Sequence, residues 1–185
     1  MSAHTRIRPT CPRRQRGASM LEILVALLVI SLGLLGVAGL SAATFSYNKA
    51  AQIRLTGLAL VNDYADRARV NVYGYDLGNY SIALADTVAT TDDPDPNQTN
   101  AQTAAQAVAA RDKADFMTAV ASRLPQGKAV VVSTPSASAR DMDIWLLWKE
   151  PQTGDNDTLF SASQDNCPNI SATDDYNCMY FKVGL

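Results

Sequence analysis

A long apolar stretch without a single charge dominates the first part of the chain. No charged residue occurs from Ile23 to Asn48, and the positions from Ile23 to Leu40 are almost entirely Leu, Val, Ile, Ala and Gly. A helix needs about 20 such residues to cross the hydrocarbon core of a membrane. The pattern therefore predicts one membrane-spanning helix.

Beyond the uncharged stretch, the pattern becomes that of an amphipathic helix. Apolar residues recur at spacings of three, four and seven, at Ala51, Leu55, Leu58, Ala65, Ala68 and Val72. No proline interrupts this region, so one helix is expected from Ser19 to about Val72. Asp63 and Arg67 are spaced i, i+4 and are expected to pair on its exposed face.

The rest of the chain shows a mixed helix and strand pattern. The predicted elements are, in order, a helix exit at 71–80, an Asp- and Pro-rich loop at 86–103, a second helix at 104–124, and strands at 128–133, 141–148 and 179–183. Met142, Ile144, Leu146 and Trp148 alternate along the middle strand and should share its buried side. The body is therefore expected to be α+β, with a short antiparallel meander. Trp145 and Trp148 are interpreted as core and sheet-surface residues rather than as a ligand platform.

Charge is distributed very unevenly. Residues 1–17 carry five Arg and no acidic residue, whereas residues 18–185 carry 11 basic and 18 acidic residues, a net charge of −7. Positive charge tends to stay on the cytoplasmic side, which places the C-terminal body outside. A body of this charge repels phosphate backbones, so no nucleic-acid partner is expected. The only histidine, His4, leaves the body without an imidazole for a catalytic triad or a His-rich metal site.

The junction between the basic head and the apolar stretch carries a recognisable motif. Its sequence is Arg16-Gly17-Ala18-Ser19-Met20-Leu21-Glu22-Ile23-Leu24-Val25-Ala26, and it resembles the class III signal of type IV prepilins. The resemblance implies that prepilin peptidase cuts on the cytoplasmic side between Gly17 and Ala18, after which the new amine is methylated. Glu22 is then the fifth residue of the mature chain, as in that family. Ala18 departs from the family, which usually has Phe there.

Glu22 is an unusual residue for the edge of a membrane segment. An isolated carboxylate in lipid is costly unless it is paired. The resemblance implies that Glu22 pairs with the free α-amine of Ala18 on a neighbouring subunit in a filament, which sets the register of assembly. The alternative is that Glu22 sits hydrated at the depth of the lipid headgroups, with no partner.

The apolar run Glu22–Leu40 is especially similar to that of the minor pilins of the PilV group, which have a run of the E-V-L-V-A-L-x-x-x-S-x-G-L-L-G-x-A-G-L kind. The resemblance implies a cleaved leader at 1–17, a transmembrane and filament-core helix at 18–48, and a periplasmic pilin body at 49–185. It implies a non-catalytic subunit that helps to initiate pilus assembly at the pilus tip.

The same resemblance implies the location and the partners of the chain. Before assembly the chain is expected to cross the inner membrane once, with its N-terminus in the cytoplasm, and afterwards to lie in the extracellular pilus. The implied partners are prepilin peptidase, other minor pilins and the major pilin, together with a pilus-tip adhesin where one is carried.

Three cysteines allow one disulfide in the mature chain. Cys11 lies in the leader, so that after cleavage Cys167 and Cys178 remain in an oxidising compartment. A bridge between them is expected to act as a structural staple of about 2–4 kcal/mol. Two cysteines without a histidine do not complete a zinc site, and no metal or other cofactor is expected.

Other functional classes remain open on the sequence alone. A type II secretion pseudopilin shares the N-terminal motif and is the main alternative. A secreted enzyme behind an ordinary signal, cut near Ser41-Ala42-Ala43, would need catalytic residues, but no G-x-S-x-G, Cys/His couple or H-E-x-x-H motif occurs. The acidic loop Asp92–Asp95 lacks the Gly and Glu of an EF-hand and is interpreted as solvated rather than calcium-binding. Gly33, Gly36 and Gly39 fit either close helix packing or local softening of the helix.

Overall fold

The computed structural model describes residues 19–88, 90–136, 139–149, 167 and 176–185. Its elements are the helices α1 (Met20–Val70), α2 (Val72–Asp76) and α3 (Ala101–Arg123) and the strands β1 (Lys128–Pro135), β2 (Arg140–Trp148) and β3 (Asn177–Gly184). The chain divides into two compact units, one up to Ser46 and one from Tyr47 to Leu185. The basic leader, with Gly17 and Ala18, lies outside the described residues.

The three strands form one antiparallel sheet in the order β1-β2-β3. Ile144 in the central strand pairs with Val131 of β1 and with Phe181 of β3. The alternation predicted for the middle strand is confirmed, because Met142, Ile144, Leu146 and Trp148 are all buried. Leu147 is buried as well, on the opposite face of the sheet, where it packs against Val130 and Cys178.

The main core of the second unit lies between one face of this sheet, α3 and the part of α1 that follows Ser46. Its largest fully buried side chains include three tyrosines and one tryptophan, at Tyr64, Tyr75, Tyr80 and Trp148. Tyr64 stacks on Phe116 of α3, with ring centroids 4.3 Å apart. Aromatic contacts of this kind add to the aliphatic contacts in the core that the two helices share.

The buried face of α1 differs from the predicted one. Of the six apolar positions in the predicted amphipathic pattern, Ala65 and Ala68 are buried, whereas Ala51, Leu55 and Leu58 are exposed, so the predicted apolar face is wrong at those three. Val72 lies in α2 and is half-buried. The buried positions of α1 are Ile53, Gly57, Leu60, Val61, Tyr64, Ala65 and Ala68. Helical spacing alone does not show which of two apolar stripes on one helix is buried. In α1 the buried stripe is the one that contains Gly57 and Tyr64.

Gly57 selects this face because it lets the helix backbone approach the sheet. A Cβ atom at position 57 would lie 2.8 Å from the Cε atom of Met179 and 3.1 Å from the Cδ1 atom of Leu146. Tyr64 is tolerated on the same face because its hydroxyl donates a hydrogen bond to the backbone oxygen of Tyr80, at 2.8 Å. Hydropathy scores neither residue as strongly apolar, so the sequence pattern missed both contributions.

Helix α3 begins three residues earlier than predicted, at Ala101, because Asn100 caps it. The Asn100 side-chain oxygen accepts hydrogen bonds from the backbone N–H groups of Gln102 and Thr103, at 3.0 and 3.1 Å. The predicted helix exit instead contains the short helix α2. Asn71 caps α2 through the N–H of Gly74 and also donates to the backbone oxygen of Ala105 in α3, at 2.8 Å.

The predicted fold class is confirmed. A long N-terminal helix and a second helix precede a small antiparallel sheet of three strands near the C-terminus. This is an α+β, type IV pilin-like arrangement. It places every described strand after residue 127, and the described residues before that point are mainly helix and loop.

Two leucine substitutions test which face of α1 is buried. Leu60→Ala should lower the free energy of unfolding by about 2–5 kcal/mol, because it empties a packed core position. Leu55→Ala should change it by no more than about 0.5 kcal/mol, because the Leu55 side chain is mostly exposed. Denaturant unfolding of the full chain in detergent micelles, followed by tryptophan fluorescence, measures both. A larger loss for Leu55→Ala would restore the face predicted from spacing.

Candidate functional site

The start of α1 is fixed by a serine. The backbone N–H of Glu22 donates to the hydroxyl of Ser19 at 3.2 Å and to its backbone oxygen at 3.0 Å, and the N–H of Ile23 donates to the same backbone oxygen at 3.3 Å. Ser19 is thus the N-cap, and Glu22 stands three residues later, as in the S-x-x-E capping box. The carboxylate also lies in the first turn, where the positive end of the helix dipole favours an acid.

The first part of α1 presents an apolar surface that the described chain does not cover. Every residue from 19 to 49 is exposed. One helical stretch here is long and apolar enough to cross a membrane, with a mean hydropathy of 2.8 over 18 residues. A signal sequence near the N-terminus can also meet these criteria of length and hydropathy, so the processing motif has to distinguish the two.

Three hydroxyl side chains within this stretch form hydrogen bonds to the backbone of the same helix. The hydroxyls of Ser31, Ser41 and Thr44 donate to the backbone oxygens four residues earlier, at 2.5, 2.8 and 2.9 Å. Each hydroxyl thus has its hydrogen-bond acceptor within the helix and needs no water molecule. This suits a helix in lipid, where water is absent. A Cβ atom at Gly33, Gly36 or Gly39 would meet nothing within 4 Å in the described chain. The described residues therefore do not pack closely against these glycines.

A buried carboxylate forms the centre of a second polar cluster, in the body. Asp112 of α3 is only 8% exposed. Its Oδ2 atom accepts a hydrogen bond from the Tyr80 hydroxyl at 2.6 Å, and its Oδ1 atom lies 3.4 Å from a guanidinium nitrogen of Arg67. A buried charge needs such partners, since an unpaired one is strongly destabilising. The cluster therefore fixes α1 to α3.

Arg67 connects this cluster to the protein surface. Its guanidinium contacts Asp63 at 3.0 Å and Asp115 at 3.1 Å, so the pairing predicted for Asp63 and Arg67 is confirmed and is part of a larger network. Arg111 joins the network through Asp115 at 3.1 Å and also pairs with Asp93 of the acidic loop. Two guanidinium groups thus face four carboxylates, at the junction of the two helices and the loop.

The acidic loop has a partner within the chain. Asp93 pairs with Arg111, and the backbone N–H of Asn97 donates to Asp95 at 2.8 Å. Within the described residues, no group of three or more His, Cys, Asp or Glu side chains is arranged to hold a metal ion. The interpretation of this loop as a solvated surface loop stays a prediction.

The two body cysteines meet at the start of β3. Cys167 and Cys178 form a disulfide, and their Cα atoms lie 6.0 Å apart, within the usual range for such a bond. Cys178 is buried against Val130 and Leu147. The nearby ring of Tyr176 carries the ammonium groups of Lys128 and Lys149 at 5.0 and 5.6 Å from its centroid. The bridge therefore adjoins a small aromatic and cationic cluster on the outer face of the sheet.

The predicted site residues fall in separate places. Glu22 lies at the start of α1 and the cysteines at the sheet, while Gly17 and Ala18 lie outside the described residues. The Tyr80–Asp112 contact was missed by sequence reasoning. Its signal was weak, because an aspartate among alanines in an amphipathic helix usually lies on the solvent side.

One substitution tests the buried carboxylate. Tyr80→Phe should lower the free energy of unfolding by about 1–3 kcal/mol, because Asp112 then keeps only the longer contact with Arg67. Tyr180→Phe is the matched control, since the exposed Tyr180 hydroxyl bonds Asp143 at the surface, and it should cost no more than about 0.5 kcal/mol. Equal effects of both variants in denaturant unfolding would argue against a buried cluster.

Alkaline pH provides an independent test of the same contact. Burial and the hydrogen bond to Asp112 raise the pKa of Tyr80 above its ordinary value of 10.0. In the unfolded chain the phenol ionises near pH 10 while the folded chain keeps it protonated, so the stability contributed below pH 10 is lost as the pH rises further. Tyr80→Phe should reduce the slope of unfolding free energy against pH above 10 by up to about 1.4 kcal/mol per unit. An unchanged slope in pH-dependent unfolding would contradict the raised pKa.

Comparison with known proteins identifies the N-terminal segment. The model of the prokaryotic N-terminal methylation motif matches residues 12–38, which cover the end of the basic head, the Gly17–Ala18 bond, Ser19, Glu22 and most of the apolar stretch. No curated protein and no solved structure matches the chain. The chain thus carries a type IV prepilin-like N-terminus followed by a pilin-like α+β fold, and these features support a type IV pilin or pseudopilin, a structural protein anchored in the membrane before assembly.

Proposed function

We propose that this protein is a minor type IV pilin of the PilV kind, which takes part in initiating pilus assembly and sits at the pilus tip. The observation that carries the proposal is the coincidence of the methylation motif at residues 12–38 with a helix whose apolar surface is exposed from its first turn. A cleavable secretory signal would be removed together with that surface. A pilin subunit keeps it for the membrane and then for the filament.

Processing is proposed to create the assembly site. Prepilin peptidase removes residues 1–17 on the cytoplasmic side and exposes the α-amine of Ala18, which is then methylated. Residues 18–48 hold the chain in the inner membrane, and residues 49–185 form the periplasmic body. Proteins with this motif are processed by prepilin peptidase and assemble with other pilins, so other minor pilins and the major pilin are the proposed partners.

Glu22 is proposed to guide each docking step. Its carboxylate lies in the first turn of α1, next to an apolar surface, where an unpaired charge is costly. The α-amine of Ala18 on a neighbouring subunit satisfies this charge, and a subunit docked one step out of register leaves both charges unpaired. The pair therefore contributes specificity of register as well as attraction.

A type II secretion pseudopilin remains the second candidate, because it shares the N-terminal motif. The bridged cysteines near the C-terminus and the length of the body favour the pilus. A deletion strain separates the two candidates. Loss of surface pili with normal type II secretion supports the pilin, whereas loss of secretion with normal pili would assign the chain to the pseudopilus.

Replacing the charge of Glu22 tests the assembly site. Glu22→Gln should be processed like the wild type but should fail to restore piliation in the deletion strain, because the amide does not pair with the α-amine. Asp66→Asn is the matched control, since it removes an exposed carboxylate from the same helix that pairs with Arg69 of that helix, and it should restore pili. Pili counted by electron microscopy, together with the content of the protein in sheared pili, give the result. Wild-type piliation with Glu22→Gln would remove Glu22 from the assembly mechanism.

A further inference from the structure

The apolar run of α1 ends in a short stretch of different chemistry. Lys49 is the first charged residue after Glu22, and Phe45 and Tyr47 are the first two aromatic residues of the chain. Phe45 is 74% exposed and Tyr47 51% exposed, and Lys49 is exposed as well. The first buried residue of α1 is Ile53, which belongs to the core of the body. Phe45, Tyr47 and Lys49, which we call the collar, therefore precede the part of the helix that packs on the body.

The distance from Glu22 to the collar matches the thickness of a bilayer. The 22 residues between Glu22 and Phe45 extend about 33 Å along a helix, and the hydrocarbon core of a bilayer is about 30 Å thick. If Lys49 alone marked the far boundary, the uncharged run of 26 residues would extend about 39 Å. Such a helix would have to tilt by about 40°, which is twice the average for membrane helices. The aromatic residues therefore mark the boundary better than the first charge does.

The collar has the chemistry of a membrane–water interface. Tyrosine is enriched at such interfaces, because its ring is apolar and its hydroxyl group is polar. Phe45 lacks a hydroxyl group and suits the edge of the hydrocarbon. Lys49 lies four residues after Phe45 on the same side of the helix, and a long basic side chain extends its charge toward the headgroups. Lipid phosphate groups carry the complementary charge.

We infer that the collar binds phospholipid headgroups at the periplasmic surface of the inner membrane and sets the depth of α1. The inference rests on the proposed function, in which residues 18–48 cross this membrane. The rings of Phe45 and Tyr47 lie at the boundary of the hydrocarbon, and the ammonium group of Lys49 pairs with lipid phosphate. With the collar at this surface, Glu22 lies at the cytoplasmic boundary. The collar thus holds Glu22 at the depth at which the proposed docking contact forms.

The depth of α1 is measured with a nitroxide label. The label is attached to the full chain through Ala38→Cys, with Cys11→Ser and with the disulfide of the body intact. Vesicles of phosphatidylethanolamine and phosphatidylglycerol supply the headgroups. Electron paramagnetic resonance compares the accessibility of the label to oxygen, which enters the hydrocarbon, with its accessibility to a water-soluble nickel chelate. The ratio of the two gives the depth of the label.

Moving the two rings along the helix tests whether they set this depth. Ser41→Phe and Ala43→Tyr, combined with Phe45→Ala and Tyr47→Ala, move both rings four residues toward the N-terminus. The label should then lie about 4–6 Å closer to the water, because four residues span about 6 Å of helix. Ser41→Leu with Ala43→Leu is the matched control, since it adds apolar side chains without rings, and it should leave the depth unchanged. Unchanged tryptophan fluorescence shows that the body stays folded.

The charge of the collar is tested separately. Lys49→Glu places a carboxylate at the level of the lipid phosphates, so the label should lie about 1.5–3 Å closer to the water, a shift of one to two residues. High salt should reduce this shift, because it screens the repulsion between the carboxylate and the phosphates. Lys49→Arg keeps the charge and should keep the depth of the wild type.

The outcomes separate this inference from the proposed function. A shift with the moved rings, no shift with the leucine pair, and a salt-dependent shift with Lys49→Glu support it. An unchanged depth with the moved rings overturns it, also where that variant loses piliation, because the collar would then contact a neighbouring pilin instead of lipid. A wild-type label as accessible to the nickel chelate as one in water would show that α1 does not cross the bilayer, and it would overturn the proposed function itself.

Discussion

The apolar surface of the first part of α1 has to be covered by something other than the described chain. More than ten Leu, Ile and Val side chains between residues 21 and 40 are over half exposed. Burying one such side chain contributes about 1.5–3 kcal/mol, so together they amount to tens of kcal/mol. A lipid bilayer supplies this burial for a single chain, and the helices of neighbouring subunits supply it in a filament. Under the proposed function, the chain exchanges the first environment for the second during assembly.

The polar groups of the chain fall into two sets, those in the apolar part of α1 and those in the body. The hydroxyls of Ser31, Ser41 and Thr44 are satisfied within the helix and need nothing from the surroundings. Glu22 is different, because it lies in the first turn of α1 at the edge of the apolar surface, where an unpaired charge is costly. The body, in contrast, holds its own charges: Arg67 and Tyr80 satisfy Asp112 within the described chain. In the proposed assembly mechanism the docking contact lies at the N-terminal end of α1, whereas internal polar contacts stabilise the body.

The sequence predicted features that depend on long or strictly periodic patterns. The uncharged run from Ile23 to Asn48 lies within α1, and the two-residue period of Met142, Ile144 and Leu146 identified the central strand with its buried side. Local rules also sufficed for the Asp63–Arg67 pair, since a helix brings i and i+4 together.

The sequence could not predict what depends on contacts between distant elements. The buried face of α1 was assigned wrongly because Gly57 acts through the closeness of Met179 and Leu146, which follow it by about 90 residues or more. The burial of Asp112 depends in the same way on the hydroxyl of Tyr80, 32 residues earlier. The start of α3 differs from the predicted one for a local reason. Asn100 caps the helix, but it follows a polar loop whose composition does not mark where the helix begins.

The most direct test of the central claim is the N-terminus of the protein extracted from membranes. Intact mass and N-terminal peptide analysis, with and without prepilin peptidase in the cell, determine it. The pilin assignment predicts a chain that begins at Ala18, carries one added methyl group on its amine, and is lost when the peptidase is absent. A chain that begins near Thr44, or one that keeps its leader when the peptidase is present, would contradict the assignment and return the apolar segment to the role of an ordinary signal or anchor.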